Sequence, residues 1–176
     1  VLKNGANKAL VTSHRPVSVN HCMQQLLNRI INGRMQDIIN FEQFAKEPRN
    51  KNNKFILSSN QIGYLRGRAK EEGIITLLSF TMKNKNNRPH LIFGDIEKAF
   101  DSIPHEHLMK TIRTKFELHV DDPISRYLTN MYQNLWFTSS WNGELSNSQR
   151  QRVGIKQGCS LSPLLFIIYY NEILEN

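Results

Sequence analysis

The chain has 176 residues, 39% of them hydrophobic, and a net charge of +8. That length suits one domain or a piece of a larger one, and that apolar share excludes a disordered tail. The longest apolar run, Leu164 to Tyr170, falls well short of the ~20 residues of a membrane span, and no secretory signal opens the sequence.

In chain order, Val1 to Val11 reads as a strand or hairpin interrupted by the turn dipeptide Asn4-Gly5. Arg15-Pro16 then pins an extended stretch. Val19, Met23, Leu26, Leu27, Ile30, Ile31, Met35, Ile38 and Ile39 recur at helical spacing, predicting a long helix with one apolar face. Glu47 to Asn53 is polar and carries Pro48, so it reads as a loop. A second helix is expected over Lys70 to Met82, with Ile74, Ile75, Leu77 and Leu78 inward, followed by a polar loop from Asn84 to Arg88. His90 to Ile96 is a short apolar run after Pro89 and predicts a buried strand. Asp101 or Ser102 can cap the next helix, with Pro104 in its first turn. Asp122-Pro123 opens a helix through Tyr132. Trp136 to Trp141, the turn Asn142-Gly143, and Leu145 to Val153 predict a β-hairpin. The last helix runs from Pro163 to about Glu175. Strands and helices mix without strict alternation, which points to an α+β fold. The opening Val1 and the apolar stretch reaching almost to Asn176 suggest an excerpt of a longer protein.

The basic balance favours a polyanionic partner, either nucleic acid or an anionic membrane surface. Cys22 and Cys159 are too few for a disulfide framework and suit a reducing, intracellular compartment.

Two stretches carry candidate chemistry. In Leu91 to Asp101 an apolar strand ends in a carboxylate and a helix comes next. A carboxylate held at a strand end suits Mg²⁺, which takes oxygen ligands in a near-ideal octahedron. Alternation puts Asp95 and Glu97 on one face. The plainer reading makes Asp95 a solvated strand end and Asp101 a helix cap. In Gly154 to Pro163 two glycines let the backbone approach a ligand, Gln157 can bond through both amide groups, and a helix N-terminus lies near. An ordinary Gly-rich connection with a serine cap accounts for the same residues.

Together these motifs resemble the reverse transcriptase family, in particular its non-LTR (LINE-like) retrotransposon branch, over nearly the whole chain. Val1-Leu2-Lys3 with Asn4-Gly5 and Arg15-Pro16-Val17-Ser18 resemble the first fingers motif, and Gln61 to Arg68 the second. Gly94-Asp95 through Phe100-Asp101 resemble the palm motif with the first catalytic aspartate. Gln157-Gly158-Cys159 with Leu161 to Phe166 resemble the next palm motif. The resemblance implies a partial right-hand polymerase, with residues 1–89 on the fingers side and 90–176 in the palm. It implies an RNA template, a DNA primer, deoxynucleoside triphosphates and two Mg²⁺ ions, with no membrane partner. Asp95 would hold the metal, aided by the backbone carbonyl of Ile96. Phe100 would disfavour a 2′-hydroxyl, Gln157 and Gly158 would contact nucleotide and template, and Lys3 and Arg15 would meet triphosphate or template.

The family also needs a later hairpin with two adjacent aspartates and a thumb. The one Asp-Asp pair, Asp121-Asp122, precedes Pro123 and lies upstream of the second palm motif, so it reads as a cap and turn. The chain as given is therefore expected not to polymerise unaided. A non-catalytic RNA-binding remnant and an intron maturase or telomerase-like relative are the competing expectations. His105-Glu106-His107 reads as a solvated helix face, because residues two apart do not face each other. His14, His21 and Cys22 lack a second ligand pair for zinc. Lys46 to Lys54 reads as a solvated basic loop, and Trp136 and Trp141 as hairpin packing rather than base stacking.

Overall fold

The computed structural model describes residues 17–47 and 55–174. The element expected over Val1 to Val11, the side chains of Lys3 and Arg15, and most of the loop at Glu47 to Asn53 lie outside the described residues.

The first helix, α1, spans Cys22–Ala45, longer than its predicted range, and is capped by the His21 ring accepting from Met23 N. Its buried line runs through Asn28, Ile31, Met35, Ile39 and Glu42. Met23, Leu26, Leu27 and Ile30 are exposed. At 3.6 residues per turn, Leu26 and Ile30 point away from that line, so the expected single apolar face divides into two, of which one is covered. The polar members of the buried line have specific partners. The Glu42 carboxylate accepts from Ile56 N at 3.0 Å, and Asn28 reaches Cys159 Sγ at 3.1 Å. Ile56 and Leu57 are buried, tying this segment into the core.

Helix α2 spans Lys70–Lys83 as expected, but none of its residues is buried. Ile74, Ile75 and Leu78 are exposed rather than inward, since among the described residues nothing covers that face. The run His90 to Ile96 is likewise not a buried strand: it has no regular structure, and Ile92 and Phe93 are 96% and 80% exposed. A strand must pair its backbone N–H and C=O groups, and among the described residues no strand pairs with it.

Helix α3 spans His105–Phe116 and starts from Pro104, not from Asp101 or Ser102. Those two residues are used earlier, in a turn where Asp101 N donates to Lys98 O at 2.9 Å and Ser102 Oγ donates to Ala99 O at 3.2 Å. Helix α4 spans Pro123–Gln133 with Asp122 at its cap position and Pro123 in its first turn, as predicted. The Asp122 carboxylate accepts from His119 N, and Asp121 pairs with the His119 ring at 3.3 Å.

The predicted hairpin forms as four short strands, β1 Trp136–Phe137, β2 Ser140–Trp141, β3 Glu144–Leu145 and β4 Gln149–Arg150. They pair antiparallel as β1 with β4 and β2 with β3, in the registers Trp136↔Arg150 and Ser140↔Leu145. Asn142 and Gly143 both have positive φ, +49° and +85°, as the tight turn matched to strand twist requires. Helix α5 spans Ser162–Leu174.

The core lies where α3 packs on both α4 and α5. Leu108, Ile112, Leu128, Tyr132, Leu164, Leu165 and Ile168 are fully or almost fully buried there, with Ile103, Ile155 and Leu161 beside them. Helices and short strands are mixed, in keeping with the α+β expectation. No helix among the described residues is long and apolar enough to cross a membrane.

Candidate functional site

The fold brings the two chemical motifs together. Ile155 N donates to Phe100 O, and Gly154 N donates to Ile103 O, both at 2.8 Å. The Gln157 side-chain amide donates to Asp101 Oδ1 at 2.9 Å. From the first turn of α3, the His105 ring bonds Gly154 O at 2.6 Å. Four bonds thus tie residues 100–105 to residues 154–157. The seam is tight at Gly154, whose φ is +91°: a Cβ there would stand 3.1 Å from both Cα and O of Asp101.

A third motif reaches the same place. Ser18 N donates to Gln157 O at 2.8 Å. A Cβ on Gly158, at φ +93°, would meet Val17 Cγ1 at 3.3 Å. The stretch Gln61 to Arg68 instead docks on α1. There the Gln36 side chain accepts from Arg66 N at 2.8 Å, and Arg66 pairs with Asp37 at 3.2 Å.

Phe100 is half-buried. Its ring stacks on Phe166 of α5 at 5.1 Å and 22°, and Phe166 stacks on Tyr170 at 5.7 Å and 8°. Asp95 makes none of these four bonds. It is exposed, and its Oδ1 accepts from the adjacent Ile96 N at 3.0 Å.

Across residues 1–176 the sequence matches the family described as reverse transcriptase (RNA-dependent DNA polymerase). The chain belongs to that family. It is 23% identical over 173 residues to the "Probable RNA-directed DNA polymerase from transposon BS" of Drosophila melanogaster, covering 97% of this chain and 17% of the relative. It is 24% identical over 163 residues to a "Retrovirus-related Pol polyprotein from type-1 retrotransposable element R2" of Popillia japonica, covering 91% of this chain and 20% of the relative. These relatives are polymerases of non-LTR retrotransposons, the branch that the motifs resemble. The chain spans a fifth or less of their length.

Membership of the reverse transcriptase family implies a divalent metal. Mg²⁺ is commonly held by one or two carboxylates plus substrate phosphates. Asp95 is one such carboxylate, but the described residues gather no group of three His, Cys, Asp or Glu that could hold a metal ion. Asp101, the carboxylate within the seam, is bonded to Gln157. Among the described residues Asp95 is thus a single candidate ligand rather than part of a complete metal cluster.

Reading residues locally missed two members of this reverse transcriptase seam. Asp101 is a bridge to Gln157 rather than a helix cap. His105 is buried rather than solvated, with its ring 5.0 Å from Tyr132, whereas exposed His107 sets its ring edge-on to Tyr169 at 5.5 Å. Burial pushes the Tyr132 phenol well above its usual range, so it stays protonated. Asn28 was also missed. It accepts from Tyr127 at 2.7 Å while donating to Cys159, which links α1, α4 and the Gly154 to Pro163 stretch. An asparagine on the same helical face as Ile31, Met35 and Ile39 was the available signal.

Beside the seam lies a cavity of about 930 Å³, lined by Ser18, Asn20, Asp101, Trp136, Arg150 and Lys156 among others. Hairpin packing does not bury the two tryptophans: Trp136 is 58% and Trp141 48% exposed. Lys156 reaches Asn20 Oδ1 at 3.4 Å. Burial lowers the Lys156 pKa, because the ammonium is partly desolvated. The unfolded chain then holds this proton more tightly than the folded one, so the charge costs stability at neutral pH. That cost fades as pH rises from the lowered value through the ordinary 10.5. Lys156→Met is expected to raise the urea midpoint at pH 7, with the gain shrinking toward pH 10.5. A gain that does not depend on pH would assign the effect to packing instead.

Proposed function

We propose that this chain forms the fingers side (residues 1–89) and front palm (residues 90–176) of a right-hand, RNA-directed DNA polymerase from a non-LTR retrotransposon. It acts on an RNA template, a DNA primer and deoxynucleoside triphosphates. The observation that carries this reading is the seam itself. Two stretches far apart in sequence are locked together so that Phe100 and Gln157-Gly158 stand in fixed relation.

In this reading Phe100 lies under the incoming sugar and rejects a 2′-hydroxyl by contact. The stacked Phe166 denies it room to retreat. Gln157 and Gly158 face the nucleotide and template, the close backbone at Gly158 leaving little bulk between chain and ligand. Lys3 and Arg15 contribute basic side chains to the triphosphate or template. Asp95, with the carbonyl of Ile96, contributes ligands to Mg²⁺, the other ligands lying outside the described residues. Catalysis of this kind rests mainly on positioning and charge stabilisation, which makes the rigidity of the seam the chain's main contribution.

The test is primer extension by the complete protein on an RNA template. Wild type is expected to extend with deoxynucleotides. Phe100→Ala is expected to lose most of a roughly hundredfold preference against ribonucleotides, the scale at which a pocket rejects an added hydroxyl by fit alone. Unchanged sugar preference in an active Phe100→Ala protein would remove Phe100 from the nucleotide site. A second reading, RNA binding without catalysis, is favoured by the absence, among the described residues, of a group of three metal-ligating side chains and by the net charge of +8. Retained RNA affinity with no extension by the complete wild type would select it.

A further inference from the structure

We infer that His105 is a positioning residue for the nucleotide site, acting through the carbonyl of Gly154. The inference rests on the polymerase reading above. A backbone carbonyl can only accept, so the imidazole Nε2 must carry the hydrogen and donate it at 2.6 Å. The acceptor is not at an arbitrary point of the loop. Gly154 also donates its own N–H to Ile103 O, and the next residue, Ile155, donates to Phe100 O. His105 therefore braces the peptide at which the second palm motif turns onto the first. Gln151 Nε2 reaches the same carbonyl at a longer 3.2 Å.

The surroundings favour a fixed ring. His105 is buried, and its ring lies against Tyr132 at 5.0 Å and 53°. Val153, just before the braced peptide, bridges to Pro104, just before His105. Two residues on each strand of the seam are thus matched, with the histidine supplying the side-chain contact between them. Loss of its hydrogen would leave Gly154 O buried with its weaker partner, and the loop free to shift relative to Phe100. The two groups proposed to read the nucleotide, Phe100 and Gln157, would then lose their common frame.

The test compares His105→Phe, which fills the space without a donor, and His105→Gln, whose amide nitrogen reaches a point near Nε2, in the complete protein. Two readouts are followed: amide hydrogen exchange at Gly154 and Ile155, and the KM for a deoxynucleoside triphosphate on a fixed primer and RNA template. His105→Phe is expected to speed exchange at both amides and to raise KM, each by about tenfold, with RNA affinity unchanged. His105→Gln is expected to restore both to within about threefold of wild type. Wild-type exchange and KM in His105→Phe, or a folded His105→Gln no better than His105→Phe, would overturn the inference. Should His105→Phe fail to fold, His105→Asn takes its place, its shorter amide falling short of Gly154 O; equal behaviour of Asn and Gln would then be the overturning result. If the wild type extends no primer, the polymerase reading falls, while the exchange measurements still decide the brace.

Discussion

Asp95→Asn in the complete protein is expected to lower primer extension by about a thousandfold, the scale of losing one preorganised charge-stabilising group, while RNA affinity and the urea midpoint stay near wild type. The substitution keeps the shape of the side chain and removes its charge, the property a metal requires. Asp95 is exposed and makes its hydrogen bond to the neighbouring Ile96 N, so no packing depends on it. Substitutions at such surface positions typically change stability within about 0.5 kcal/mol. A large drop in extension without a change in unfolding is thus the signature of a reacting-centre ligand. Retained extension would remove Asp95 from the metal site, whatever the chain's family membership.

The second large effect is expected at Gly154. Gly154→Ala should lower stability by about 2–4 kcal/mol, combining the strain of a side chain at positive φ with a forced contact. The contact cannot be relieved cheaply, because the facing atoms at 3.1 Å are Cα and O of Asp101, which belong to the backbone. Relief requires residues 100–105 and 154–157 to shift apart by a few tenths of an ångström, straining the bonds of Gly154 with Ile103 and His105. Gly158→Ala is the matched control. It has a similar φ of +93°, but its nearest neighbour is the Val17 side chain at 3.3 Å, which can give. Unfolding midpoints of the two variants, measured side by side, separate backbone strain from the contact at Asp101. Equal losses would mean that strain alone is at work.

Much of this arrangement was legible in the residues. The apolar positions located α1 and α2, the prolines at 123 and 163 marked the starts of α4 and α5, and Asn142-Gly143 marked the hairpin turn. Burial was less legible than helicity. Periodicity in α2 and the apolar run at His90 to Ile96 say that these segments can be covered, not that anything among the described residues covers them. Burial is a property of two surfaces, and a sequence pattern describes one. The helix start at Pro104 could have been found. A proline biases the residue before it away from helical backbone, so Ile103 was poorly placed to open α3, and caps at Asp101 or Ser102 came too early. His105 was judged with His107 as one face. The rule that residues two apart diverge in fact sends one inward and the other out. The partners of Asp101 and His105 sit some fifty residues further along the chain, a distance over which local spacing carries no information.

The stacked rings of Phe100, Phe166 and Tyr170 have a consequence for how sugar preference could drift over time. Any selectivity exerted at Phe100 belongs to a column of three aromatic side chains, two of which stand on α5. A change in the size of either supporting ring would loosen the Phe100 ring without altering that residue, and a compensating change could restore it. Under the role proposed for Phe100, relatives that differ there should therefore differ in concert at Phe166 and Tyr170, and nucleotide choice would be inherited as a unit of three positions.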